Sequence, residues 1–129
     1  MPRTAVLFYK STAGEVPVLR WLQDLRASNR RAYGKSVAVI EELGARGYEL
    51  RRPIADYLQD GIYELRTRVG RENYRILYFF RGQNTAILAH ALTKEAEVPL
   101  VDFERALSRK VAFEASPTEH THEEETENG

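Results

Sequence analysis

The stretch Asp60 to Phe80, DGIYELRTRVGRENYRILYFF, alternates polar and apolar residues, and arginine dominates its polar positions. A repeat of two is the repeat of a β-strand, so Ile62, Glu64, Arg66 and Arg68 share one side of the first run and Tyr63, Leu65, Thr67 and Val69 the other. In the next run Asn73, Arg75, Leu77, Phe79 and Arg81 oppose Tyr74, Ile76, Tyr78 and Phe80. The more apolar sets must meet the core, which leaves Arg66, Arg68, Arg75 and Arg81 on an uncovered face, with Leu77 and Phe79 among them. Guanidinium forks grip phosphates and an exposed ring stacks on bases, so the pattern suits single-stranded nucleic acid. If Glu64, Glu72 and nearby acids pair with the arginines, the same residues make an ordinary solvated face, and residue types alone leave both readings open.

His90 lies in a third strand-like run, and Lys94 follows at the same parity. A histidine titrates near neutral pH and could move a proton, while a lysine could stabilise charge on a phosphorane. His90 among alanines and leucines could equally be a packed core residue. His120 and His122 sit in an acidic stretch that is a poor metal site, and no metal is expected. No phosphate-binding G-x-x-x-x-G-K-[ST] loop, G-x-S-x-G elbow or H-E-x-x-H helix occurs.

The elements that must position these residues follow from pattern and punctuation. Thr4 to Lys10 reads as an opening strand, and Pro17 opens an amphipathic helix through Val18, Trp21, Leu22 and Leu25. Ser28 or Asn29 can cap a second helix carrying Tyr33, Val37, Ile40 and Leu43, with Gly47 as its stop. After a connector, YELRRPIADYLQDG, three strands at 62–69, 73–81 and 85–93 are joined by short turns and should form an antiparallel meander. Pro99 opens a last helix with Leu100, Phe103, Leu107 and Val111 on one face. The order β-α-α-β-β-β-α predicts an α+β domain over residues 1–114, with helices packed on one face of an antiparallel sheet and the arginine face open. Residues 115–129 hold almost nothing to bury and are expected to be a disordered acidic tail.

The formal net charge of zero hides a division along the chain. All 19 Lys and Arg, 15 of them Arg, precede residue 115, and five of the 19 acids follow Glu114. A basic domain with an acidic tail fits a polyanionic partner, or a tail that shields the basic surface. There is no cysteine, no apolar run long enough for a bilayer and no signal-like apolar segment at the N-terminus, so a soluble, cytoplasmic protein is expected.

GIYELR, YRILYFF, AILAHALTK and the closing P-x-x-x-F-E-R-A-L-x-R resemble, in order and spacing, the HigB branch of the RelE/ParE toxin superfamily, including its phage-derived relatives. The resemblance spans Thr4 to Val111 and implies a compact RelE-like domain. It further implies the toxin of a type II toxin-antitoxin system: a ribosome-dependent mRNA endonuclease that uses no metal or other cofactor. A cognate helix-turn-helix, HigA-like antitoxin would hold it inactive. Carried over by residue, Arg66 and Arg75 would stabilise the phosphate, and His90 and Lys94 would transfer protons or stabilise charge; Arg68, Phe79 and Arg81, which the alternation places on the same open face, are the expected RNA-binding residues beside them. Relatives often have two adjacent basic residues where this chain has Lys94 and then Glu95. A ParE-like gyrase inhibitor and a catalytically silent binding module remain the alternatives on the same fold.

Overall fold

A computed structural model of the chain describes residues 3–93 and 96–123. Strand β1 (Ala5–Phe8) leads into helix α1 (Pro17–Ser28) and helix α2 (Arg30–Arg46), then strands β2 (Ala55–Gln59), β3 (Ile62–Val69), β4 (Glu72–Arg81) and β5 (Thr85–Thr93), and finally helix α3 (Leu100–Ala115). Pro17 stands in the first turn of α1, where its missing N–H costs nothing. The Asn29 side chain caps α2 by accepting from the Ala32 N–H at 3.1 Å.

The α+β class and the antiparallel β3–β4–β5 meander are as the pattern predicts, but the sheet is larger and mixed. Its order is β1-β5-β4-β3-β2, with β1 parallel to β5. The added strand, β2, falls inside the segment read as a connector. Asp60 and Gly61 both have positive φ, 53° and 81°, so an Asp-Gly turn reverses the chain and pairs Ala55–Gln59 with Ile62–Leu65.

The layering also differs from expectation. Helices α1 and α2 cover one face, where Val18, Leu22 and Leu43 pack on Leu65, Ile76, Tyr78 and Leu88. Helix α3 covers part of the other, where Phe103, Ala106 and Phe113 pack on Ile62, Leu77, Phe79 and Ile87. The helices therefore lie on both faces. The strand parity is right, but Leu77 and Phe79, with Ile62 and Ile87 beside them, form a second apolar surface that α3 removes from water.

The segment after α3, expected to be disordered, folds back along the edge strand β1. Thr121 bridges Tyr9, the His122 N–H donates to the Phe8 carbonyl at 2.9 Å, and the His120 ring stacks on Tyr9 at 5.3 Å with Nδ1 2.8 Å from the Lys10 carbonyl. His120 is buried. These residues bring no aliphatic face, but stacking and hydrogen bonding satisfy an edge that would otherwise be open. The rest of the acidic tail, 124–129, lies outside the described residues. Ending the chain after Ala115, or substituting His120→Ala, is expected to lower stability by about 1–3 kcal/mol, the range of one stacked pair and one or two hydrogen bonds. Thermal melts check this, and wild-type melting of both variants would mean that the docked segment contributes nothing.

Candidate functional site: an arginine cleft

Antiparallel pairing sets Arg66 of β3 directly opposite Arg75 of β4. Like charges placed so repel each other unless an anion intervenes. Glu64, two residues before Arg66 and on the same face, is that anion. Its Oε1 lies 2.5 Å from Arg75 Nη1 and its Oε2 3.7 Å from Arg66 Nη1. Glu64 and Arg75 are buried, whereas the Arg66 side chain is 33% exposed and its Nε donates to the Pro53 carbonyl at 3.4 Å. Arg75 Nη2 also donates to the Ala96 carbonyl, tying the segment after β5 to the cluster.

These three side chains line a cleft of about 490 Å³, walled by Tyr57 and Leu58 of β2, by Val98 ahead of α3, and by Leu100 and Phe103 at the start of α3. The arrangement combines two guanidinium groups, the Glu64 carboxylate that fixes their spacing, the exposed Glu97 at the rim, and an apolar wall that limits solvent. Such a site can receive a phosphate and stabilise added negative charge on it.

His90 reaches the same face of the sheet through an irregularity. The β4–β5 register shifts between Leu77 and Tyr78, which pair with His90 and Leu88, so Ala89 is an extra residue. Without that bulge His90 would share the side of Leu88, under α1 and α2. As folded, Nε2 lies 2.6 Å from Asp102 Oδ1 of α3 and Nδ1 lies 3.1 Å from Arg109 Nη1, which also donates to the Ala89 carbonyl at 2.8 Å. Arginine can only donate, so Nδ1 accepts and Nε2–H donates to Asp102. Both ring nitrogens are engaged and the residue is buried. In this arrangement the imidazole pins α3 to the sheet.

Burial holds the His90 pKa below the ordinary 6.5; the Asp102 hydrogen bond opposes this, and the Arg109 and Arg105 charges add to the depression. A histidine with a lowered folded pKa contributes stability that is present above its unfolded value, about 6.5, and lost as pH falls through the folded one. The melting temperature is therefore expected to fall on acidification below about pH 6.5, and less steeply in His90→Gln, which also melts lower throughout. Parallel slopes in the two proteins would show that His90 does not carry this dependence.

The remaining expected site residues divide. Arg68 is exposed beside the β3–β4 turn, with Nε donating to the Gly70 carbonyl at 3.0 Å. Arg81 is exposed at the far end of β4, its guanidinium 5.9 Å from the Phe113 ring, away from the Arg66–Arg75 pair. Phe79, expected as a stacking platform, is only 1% exposed and packs edge-on against Phe113, so it presents no ring to a ligand. Lys94 lies outside the described residues. The sheet face is therefore a local cluster at Arg66 and Arg75 rather than a continuous cationic stripe.

Three participants were not singled out from sequence as site residues. Glu64 shares the Arg66 parity, and that spacing was a usable signal. Asp102 and Arg109 meet His90 only because α3 crosses β5, which no local pattern encodes. Among the described residues no cluster of His, Asp or Glu could hold a metal ion, and no helix is long and apolar enough to cross a membrane.

No curated protein matches the chain. A family model does, described as Phage derived protein Gp49-like (DUF891), over residues 20–111. That span runs from α1 into α3 and takes in Glu64, Arg66, Arg75, His90, Asp102 and Arg109, but neither β1 nor the docked C-terminal segment. The chain thus belongs to the phage-derived Gp49-like family, within the RelE/HigB-like toxin superfamily.

Proposed function

We propose that the protein is a HigB-like toxin of a type II toxin-antitoxin system that cleaves mRNA on the ribosome, acting in the cytoplasm under the control of a helix-turn-helix, HigA-like antitoxin. The observation that carries this reading is the pair of arginines across the β3–β4 register, held by a shared carboxylate in an open cleft.

In the proposed reaction the 2′-oxygen of one nucleotide attacks the adjacent phosphorus, the bond to the 5′-oxygen breaks, and a 2′,3′-cyclic phosphate remains on the upstream fragment. The 2′-hydroxyl loses its proton and the departing 5′-oxygen gains one. Negative charge builds on the non-bridging oxygens of the phosphorane, and guanidinium donors set beforehand in a partly desolvated cleft stabilise it there. Arg66, the more exposed of the two, meets the phosphate first. Arg75, braced by Glu64 and Ala96, supplies charge and rigidity. Proton transfer falls to Lys94, to water or to the ribosome. Arg68 extends the cationic path beside Arg66. With the mRNA oriented by the ribosome, much of the acceleration comes from alignment.

The test is in vitro translation with purified protein, mapping mRNA ends and their terminal chemistry, beside a gyrase supercoiling assay. Cleavage that ends in a cyclic phosphate and stops when the upstream 2′-hydroxyl is replaced by hydrogen is the expected result. Intact mRNA together with blocked supercoiling would replace this reading with the gyrase one, and neither effect would leave a binding module.

A further inference from the structure

Across the edge strand β2 from the arginine cleft lies a second cavity, of about 580 Å³, lined by Tyr48, Tyr57, Tyr63, Arg51, Arg52 and Asp56. Tyr57 and Tyr63 are paired across β2 and β3 on the α1/α2 side of the sheet, while Glu64 and Arg66 face the other way. Because β2 ends the sheet, no further strand among the described residues closes it off, and Tyr57 is a wall of both cavities.

The aromatic lining is both open and rigid. Tyr57 is 52% and Tyr48 43% exposed, unusual for rings of that size. Tyr57 meets Tyr63 edge-on at 4.9 Å, and Tyr48 is backed by Phe80, stacked at 3.7 Å. The hydroxyls anchor the rims: Tyr57 Oη accepts from the Gly61 N–H and Tyr48 Oη donates to the Gly82 carbonyl, each at 3.0 Å. Rings held at both ends lose little freedom when a ligand stacks on them. Arg51 Nη1 donates to the carbonyls of Tyr48 and Leu50, and the exposed Arg52 is held at 2.8 Å by Asp56.

We infer that this tyrosine pocket takes a nucleobase of the same RNA strand whose phosphate occupies the arginine cleft, with the strand crossing over β2 at Tyr57 and Arg52 meeting the backbone beside the base. The inference rests on the proposed RNA-cleaving function and adds where the neighbouring nucleotide sits. A single strand is favoured over a protein segment because the two cavities share a wall, both carry guanidinium groups, and stacked rings beside cations are the recurring means of holding unpaired bases.

The experiment uses the full chain without ribosomes and a short fluorescent oligoribonucleotide at fixed low salt. Anisotropy titrations compare wild type, Tyr57→Leu, Tyr57→Phe, Arg52→Gln and Arg66→Ala, each with the intact strand and with strands abasic at one position in turn. Tyr57→Leu should weaken binding about 5- to 150-fold, the range for one lost base–ring stack, while Tyr57→Phe, which keeps the ring and loses only its hydroxyl anchor, should weaken it far less. One abasic position should cause the same loss in wild type and no further loss in Tyr57→Leu. Folding is checked by circular dichroism, and Arg52→Gln, at an exposed position, provides the second variant if Tyr57→Leu is unstable: it should weaken binding and flatten the salt dependence. Loss with Arg66→Ala but none with Tyr57→Leu would overturn the pocket and spare the arginine cleft. Equal losses for intact and abasic strands would mean that the pocket holds something other than a base, and wild type that fails to bind at millimolar strand would refute the inference outright. Failure of cleavage in the translation assay, with the Tyr57 coupling intact, would count against the nuclease reading alone.

Discussion

Arg75→Ala is expected to lose cleavage and stability together. Arg75 and Glu64 are both buried and their closest atoms are 2.5 Å apart, so removing the cation leaves a carboxylate in the sheet with Arg66, at 3.7 Å, as its remaining cationic partner among the described residues. Breaking one side of a buried pair costs about 3–5 kcal/mol, a large share of what holds a domain of this size together. The contact to the Ala96 carbonyl is lost as well, which frees the segment leading to α3. Urea titration should show a midpoint well below wild type, and the variant should be non-toxic when expressed. Replacing both partners, as in Glu64→Leu with Arg75→Met, should recover most of the stability and none of the cleavage, since an apolar pair of similar volume removes the stranded charge without restoring a phosphate ligand. Arg75→Lys should fall between, because an ammonium keeps the charge but cannot reach Glu64 and Ala96 in a fork. An Arg75→Ala protein with a wild-type midpoint would mean that Glu64 finds compensation elsewhere.

Arg66→Ala should separate the two effects. Its side chain is a third exposed and its ion pair with Glu64 is long, so the stability change should stay within about 1 kcal/mol. Under the proposed mechanism it supplies a donor to the phosphorane, and a lost donor of that kind slows reaction about 10²- to 10³-fold. The measurement is single-turnover cleavage at saturating ribosome complex, with binding followed separately. A rate within a few-fold of wild type would remove Arg66 from the chemistry and leave Arg75 and Lys94 as the cationic candidates. The contrast with His90→Gln is informative. That substitution should shift the melting curve and its pH slope, yet leave the rate per folded molecule close to wild type if the imidazole only pins α3. A rate loss of about 10²-fold or more at full folding would instead make it a proton carrier.

What could be read along the chain was whatever is encoded by local repeat. Period-two alternation fixed which residues of β3 and β4 share a face, so Arg66 and Arg75 were grouped correctly and Glu64 stood beside them. Helical spacing, Pro17 and Asn29 located α1 and α2 closely. β2 was also encoded, in the Asp-Gly pair ahead of Ile62, but the arginines and proline before it obscured the strand.

Alternation separates two faces but does not say what covers each, because burial is settled by elements distant in sequence. Phe79 had the right parity and the wrong environment: α3 lays Phe103 and Phe113 over it and so converts a presumed stacking ring into core. One extra residue at Ala89 turned His90 toward α3, since in a strand a single insertion exchanges the faces beyond it. Asp102, Arg109 and His120 contribute through contacts made only when helix and C-terminal segment dock on the sheet. The sequence alone thus determined helices α1, α2 and α3, four of the five strands and the sharing of one sheet face by Arg66 and Arg75, because those depend on near neighbours along the chain. The tertiary structure decided which face stayed open, how wide the cleft is and which groups brace it, because each of these depends on what packs against the strand from far away in sequence.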